Sequence, residues 1–407
     1  MRSLGRGKLR LVALAIGATT MVPATSAGAA TVSAFEEPLF KTPGTRYASA
    51  RVDAEPGEAN RLSIVLTGKP GSYLLQIRDE AEPLQAGNRC EGGGGAGALV
   101  TCALTVTPSP VTIVLGNRGG TVDASSFPNR IEVRAGSGDD SITAGNGGLT
   151  YFPTRCGSDI HPSSECDPEL GDGSTGADRV ATGGGDDAIW LGDGPSQVST
   201  GGGNDFLLAT AAPNGPDRID LGAGERDIAN FNLRQTGLSY TADDLANDGA
   251  PGEGDAILGA EFFAGGNGDD LLVGDGDGDY LVGNGGSDLL IGAGGNDWLI
   301  GEVGGGSKLG RVAGISLNTF RWDYGNSRKL RITAGGDRAL GGPGTDQLHL
   351  DGGNDEGFGG PGKDLIRGND GRDRLFGQPG RNRIDGGPQR DRCRGGGRGS
   401  VVQRCET

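Results

Sequence analysis

Single aliphatic residues recur every nine positions between residues 265 and 300, each following a polar, glycine-rich stretch. Four nonamers run without a gap: GGNGDDLLV, GDGDGDYLV, GNGGSDLLI and GAGGNDWLI. The eighth position is always Leu (Leu272, Leu281, Leu290, Leu299), the sixth always Asp (Asp270, Asp279, Asp288, Asp297) and the first always Gly. Each unit predicts a turn joined to a three-residue strand. The eighth residue then faces inward and its neighbours outward. Glycine at positions 1, 2 and 4 permits positive φ and close backbone approach. Two nonamers make one 18-residue coil, so repeats n and n+2 stack at the strand spacing of about 4.8 Å.

The period returns at 173–208 (GSTGADRVA, TGGGDDAIW, LGDGPSQVS, TGGGNDFLL), seven times in 332–394, and once alone at 135–143, AGSGDDSIT. The step from 265 to 332 is 67 residues and not a multiple of nine. Residues 301–331, with Phe320, Trp322 and Tyr324, therefore read as an insertion, and about 230–262 as a second one. Residues 31–125 differ. Their β-rich runs Arg61–Leu66, Ser72–Arg78, Leu99–Val106 and Val111–Leu115 are separated by Gly/Pro turns and predict a small N-terminal β-module. The whole reads as all-β: this module, a solenoid over 126–300, the insertion, an Arg-rich solenoid over 332–394 and a cap at 395–407.

Composition agrees with an array. Glycine supplies 82 of 407 residues with no Gly-X-Y period, and Phe, Trp and Tyr number 11, 3 and 6. Residues 1–30 carry four basic residues and no acid, an apolar run Leu11–Val22 and an Ala27–Gly28–Ala29 site, the layout of a signal peptide. Its removal takes the net charge from −16 to −20. Such a surface repels nucleic acid and anionic lipid and attracts cations. No second long apolar segment predicts a membrane span. A secreted, extracellular location suits the six cysteines, which fall into three close pairs: Cys90 with Cys102, Cys156 with Cys166, and Cys393 with Cys405. Fifteen connectivities are open to six cysteines, and neighbour pairing is favoured on a linear solenoid.

Stacking aligns Asp270 with Asp288 and Asp279 with Asp297. Carboxylates so close repel, and a hard cation taking six to eight oxygens relieves them. Carboxylates and carbonyls without thiolate or imidazole favour Ca²⁺ over zinc or copper. Asp275, Asp277 and Asp279 lack the Gly and Glu that an EF-hand needs. GGNGDDLLV resembles the RTX, or haemolysin-type, calcium-binding repeat. That resemblance implies a right-handed parallel β-roll with Ca²⁺ between successive turns, held by position-6 Asp and turn carbonyls. On this reading the metal residues are Asp270, Asp279, Asp288 and Asp297, with Asp269 and Asp277 beside them. Asp178, Asp187, Asp205 and Asp140 follow in the earlier repeats, and Asp346, Asp355, Asp364 and Asp373 in the later ones.

Departures from the pattern sit at Ser196, Asn382 and Arg226, each at position 6. Residues 332–407 hold eleven acids and twelve bases, with Lys363, Arg372, Arg381 and Arg390 at position 5 and Arg338, Arg374, Arg383 and Arg392 at position 7. Guanidinium groups are expected to pair there with the Asp column in place of some Ca²⁺. No H-E-x-x-H or G-x-S-x-G motif is present, and the two histidines, His161 and His349, read as surface residues, so no enzyme is expected. The function expected is calcium-dependent folding of an extracellular scaffold. A surface or glycan partner through the N-terminal module or the 301–331 aromatics is the alternative, and a carboxylate-based hydrolase a weaker one.

Overall fold

The computed structural model describes residues 29–38, 46–55, 57–116, 118–136, 138–153, 175–301 and 336–406. Several expectations lie outside the described residues: residues 1–28 of the expected signal peptide, His161 and the aromatics Phe320, Trp322 and Tyr324. The expected disulfide between Cys156 and Cys166 also lies outside them, so of the three cysteine pairs only the other two are described. Within the described residues every regular element is a β-strand.

Strands alternate between two facing stacks. In the repeat region nearly all are three residues long, because position 6 ends one turn and position 1 begins the next. Leu271–Val273 pairs in parallel with Leu289–Ile291, and Tyr280–Val282 with Trp298–Ile300, each offset by one 18-residue coil. Position 8 points between the stacks: Leu272, Leu281, Leu290 and Leu299 are fully buried, as are Leu348, Ile366, Leu375 and Ile384. Each such side chain contributes about 1.5–3 kcal/mol of burial. The stack is an all-β parallel β-roll.

Register places the interruptions. Leu289 lies beside Arg338 and Trp298 beside Gln347, so both faces jump by 49 residues instead of 18. The coil therefore resumes in phase beyond the insertion. In the other interruption, Ser239–Thr241 advances one rung to pair with Leu271–Val273, while Ala256–Leu258 continues from Arg218–Asp220.

Two expectations change. The stacking begins before residue 126: Pro108–Val114 and Thr121–Ala124 already run parallel to Ile131–Arg134 and Ser141–Ala144, and rest in turn on Arg46–Asp53 and Arg61–Lys69. These early coils have no Gly-Asp turn, so periodicity does not reveal them. Ala30–Pro38 and the hairpin of Arg61–Lys69 with Ser72–Asp79 add antiparallel strands, and Cys90–Cys102 joins two neighbouring strands there. Second, the outward positions 7 and 9 of one stack are not solvated. Trp190, Phe206, Ile228, Phe262, Val282 and Ile300 form a second buried cluster, with Phe152 stacked on Trp190 and Phe262 on Tyr280. At the far end Cys393–Cys405 closes the last coil.

Candidate metal centre

Position 6 turns inward at the corner of each coil. The backbone N–H of Asp270 donates to Asp288 Oδ1 at 2.9 Å, Asp288 N–H to Asp337 Oδ1, Asp337 to Asp355, Asp355 to Asp373 and Asp373 to Asp391. Along the opposite corner Asp279 donates to Asp297, Asp297 to Asp346, Asp346 to Asp364 and Asp364 to Asn382. One carboxylate oxygen per rung is thus spent on the neighbouring coil. All these side chains are at most 5% exposed.

The second oxygen is the chemically available one. Oδ2 of Asp288, Asp297, Asp346, Asp364 and Asp373 is buried and accepts no hydrogen bond. A buried carboxylate oxygen without a partner is costly. Each Oδ2 leans over the position-1 glycine of its own repeat. A methyl group at Gly283 would overlap Asp288 Oδ2 and come within 2.8 Å of Gly301 O from the next coil. Gly292 faces Asp297 Oδ2 and Gly341 O, and Gly368 faces Asp373 Oδ2 and Gly386 O, in the same way. Gly283 and Gly292 are not left-handed, so glycine is needed there for space. The positive φ belongs to position 2, where Asn284 (74°) and Ala293 (64°) adopt it.

These cradles gather carboxylate and carbonyl oxygens only. Among the described residues no group of three or more His, Cys, Asp or Glu side chains is placed to hold a metal by itself. A site here draws one carboxylate per rung and completes itself with main-chain carbonyls, a hard-oxygen set that fits Ca²⁺ and not zinc.

Several rungs fill the same cradle with a protein donor. Position 1 is Thr182 in one repeat, and its hydroxyl lies 2.5 Å from both Asp187 Oδ2 and Thr200 O. Thr200 reaches Leu221 O, yet Asp205 Oδ2 of its repeat keeps no hydrogen-bond partner. Tyr151 donates its phenol to Asp178 Oδ2. Asn382 Nδ2 donates to Gly377 O, Gln378 O and Gly395 O at 2.6–3.0 Å. The counterparts of Gly377 and Gly395 at the Asp288 rung are Gly283 and Gly301.

Burial sets the electrostatics. It pushes Asp270, Asp279 and Asp297 up to about 7 and Asp288 to about 9, with Asp337 and Asp270 adding repulsion at Asp288. Asp364 and Asp373 rise to about 6 and Asp346 rises too, again mainly by burial. Without a counter-charge burial favours the protonated form of these carboxyls, and a cation favours the ionised one.

The family model for the RTX calcium-binding nonapeptide repeat matches residues 132–148, 172–207, 257–306 in three overlapping registers, and 332–366 with 358–393. The chain is an RTX-type repeat protein. RTX repeats bind calcium, and Ca²⁺ is the cation they imply here. No curated protein sequence matches the chain.

The RTX ladder contains Asp140, Asp178, Asp187, Asp205, Asp270, Asp279, Asp288, Asp297, Asp346, Asp355, Asp364 and Asp373, all buried. Asp269 and Asp277 are exposed instead. Asp269 Oδ1 accepts Ser287 N–H in an outer, position-5 ladder, and Asp277 donates its N–H to Asp275. Sequence reasoning missed Asp217, Asp227, Asp255 and Glu261, which accept from Ser196, Asp205, Asp217 and Asp227. Position 6 assigned to Arg226 belongs to Asp227, because that coil is 22 residues long. The shared signal is an acid directly before a three-residue strand with a buried centre: DRID, DIAN, DAIL and EFFA.

The expected pairing of guanidinium groups with the Asp column is corrected. In the described C-terminal repeats Arg338 and Arg374 pair with Glu356, Arg404 with Asp385 and Arg390 with Glu406. Position 6 is buried in the corner while position 7 points outward, so the two columns do not meet. Asn382, not arginine, supplies the donor in that block.

Proposed function

We propose that this chain is a secreted, non-enzymatic scaffold whose repeats fold around Ca²⁺. The observation that carries the reading is the row of buried, partnerless Oδ2 atoms converging with carbonyls over position-1 glycines. Gly283, Asp288 and Gly301, then Gly292, Asp297 and Gly341, would hold ions in the acidic segment. Rungs closed by Thr182, Tyr151 and Asn382 need none. Calcium supplies charge neutralisation and binds only the stacked form, so binding free energy becomes folding free energy. Extracellular calcium modules bind at about 10⁻⁴–10⁻³ M, which suits folding after export. The expected leader and the two formed disulfides fit an oxidising compartment. His349 is half-buried against Trp298, its pKa pushed down to about 4 by burial and by Arg367, which makes it a weak base.

Equilibrium dialysis tests this. Gly283→Ala keeps an ordinary φ, places a methyl against Asp288 Oδ2 and Gly301 O, and is expected to bind fewer ions than the parent chain. Gly276→Ala meets nothing within 4 Å and is expected to bind the full number. Equal counts in both variants would remove the cradle as the site.

A further inference from the structure

The C-terminal coils have a surface charge that their composition hides. Residues 336–406 contain twelve basic and eleven acidic residues. Six of the acids, Asp337, Asp346, Asp355, Asp364, Asp373 and Asp391, are at most 2% exposed in the coil corners. All twelve basic side chains are exposed, against five acids that reach solvent to any degree. Burial of the ladder therefore turns a nearly neutral segment into a basic surface on an acidic protein, with Arg367 and Arg383 on one stack and Arg338, Arg374, Arg392 and Arg394 on the other.

The face of the second stack is regular. Register stacks Arg338, Glu356, Arg374 and Arg392 in one outward column and Leu340, Phe358, Phe376 and Arg394 in the next. Phe358 and Phe376 stack at 5.1 Å, with the Arg338 guanidinium over Phe358. Glu356 is shared between Arg338 and Arg374 at 3.6 Å each. Among the described residues Arg372, Arg392 and Arg394 form no ion pair. Cationic forks thus recur along adjacent rungs, about 4.8 Å apart, beside a half-buried aromatic platform.

We propose that this face binds an acidic polysaccharide, with carboxylate or sulfate groups on Arg372, Arg374, Arg392 and Arg394 and a sugar ring on Phe358 and Phe376. A sugar unit is comparable in length with one rung, so anions on successive sugars meet the arginine pairs of two successive coils, Arg372 with Arg374 and Arg392 with Arg394. The phenylalanines favour sugar over a bare phosphate chain, since they offer a face for C–H groups. The acidic coils preceding Arg338 limit the site to a short stretch of polymer and disfavour duplex nucleic acid, which would continue across them.

The experiment measures affinity of the calcium-loaded, intact chain for heparin and polygalacturonate oligosaccharides and for polyphosphate, at physiological salt. Binding to at least one saccharide is expected. The combined Arg374→Gln, Arg392→Gln and Arg394→Gln variant is expected to weaken it about tenfold or more. Phe376→Ser is expected to weaken saccharide binding and leave polyphosphate binding unchanged. Calcium-dependent thermal unfolding confirms that each variant folds, and the matching Arg→Lys set retains charge if one does not. Four results overturn the proposal: no saccharide binding, undiminished binding by the triple variant, polyphosphate preferred with Phe376 irrelevant, or self-association abolished by the triple variant. The last would assign the face to a second copy.

Discussion

Asp288→Asn is expected to stabilise the calcium-free protein and destabilise the calcium-loaded one. The parent Asp288 keeps Oδ1 on Asp270 N–H and leaves Oδ2 buried without a partner. Asn382 shows what an amide does at this position: its Oδ1 still accepts from Asp364, while Nδ2 donates to three carbonyls. At residue 288 the amide would face Gly283 O and Gly301 O. Replacing a costly buried acceptor by a satisfied donor is worth about 1–3 kcal/mol in the absence of metal. In its presence the variant forfeits a site, about 2.7 kcal/mol at a hundredfold excess of Ca²⁺ over Kd. Asn382→Asp is the reciprocal change and should gain an ion while losing metal-free stability. Thermal unfolding of both variants with and without Ca²⁺ checks the crossing. Parallel shifts, with the same sign under both conditions, would show that the rung is structural only.

The second large effect is on pH. Folding raises the pKa of Asp270, Asp279 and Asp297 to about 7 and of Asp288 to about 9. A raised carboxyl pKa stabilises the fold while the proton is bound. That contribution is complete below the unfolded value near 4 and is lost as pH rises through the folded value. The metal-free protein is therefore expected to lose stability steadily from about pH 4 to about pH 9, each group contributing up to about 1.4 kcal/mol per pH unit within its own window. Saturating Ca²⁺ holds the same carboxylates ionised and should abolish or reverse the slope. Thermal midpoints in metal-stripped buffer at about pH 5 and about pH 8 measure it. A metal-free protein more stable at the alkaline end would contradict the buried ladder.

The repeat core was legible because one residue in nine carries both signals. Leu272, Leu281, Leu290 and Leu299 mark the inside, and the Asp two positions earlier marks the corner. The flanking coils were not legible because their corners differ. Asp140 N–H and Gly120 N–H find the same kind of carboxylate acceptor, yet the chain from 108 to 124 has no glycine phase to announce it. Asp227 and Asp255 hid for a related reason: coils of 22 and 38 residues carry the ladder across loops that a fixed period cannot follow. Which cradles are closed by protein donors depends on side-chain reach across coils. Thr182 meets Thr200 O only because residues 18 apart stack. The position-5 and position-7 arginines looked available to the Asp column on spacing alone, and the strand's alternation separates them from it.

Hydrogen exchange on the intact chain, at about pH 8 with Ca²⁺ or with a chelator, tests the central claim most directly. Calcium removal is expected to erase protection across residues 265–300 and to weaken it in 341–376, where Oδ2 atoms lack partners. Residues 46–114, with an apolar core that includes Val52, Ile64, Leu75 and Ile113 and the Cys90–Cys102 link, should stay protected in both conditions. Protection of 265–300 that is the same with chelator as with Ca²⁺ would contradict the account.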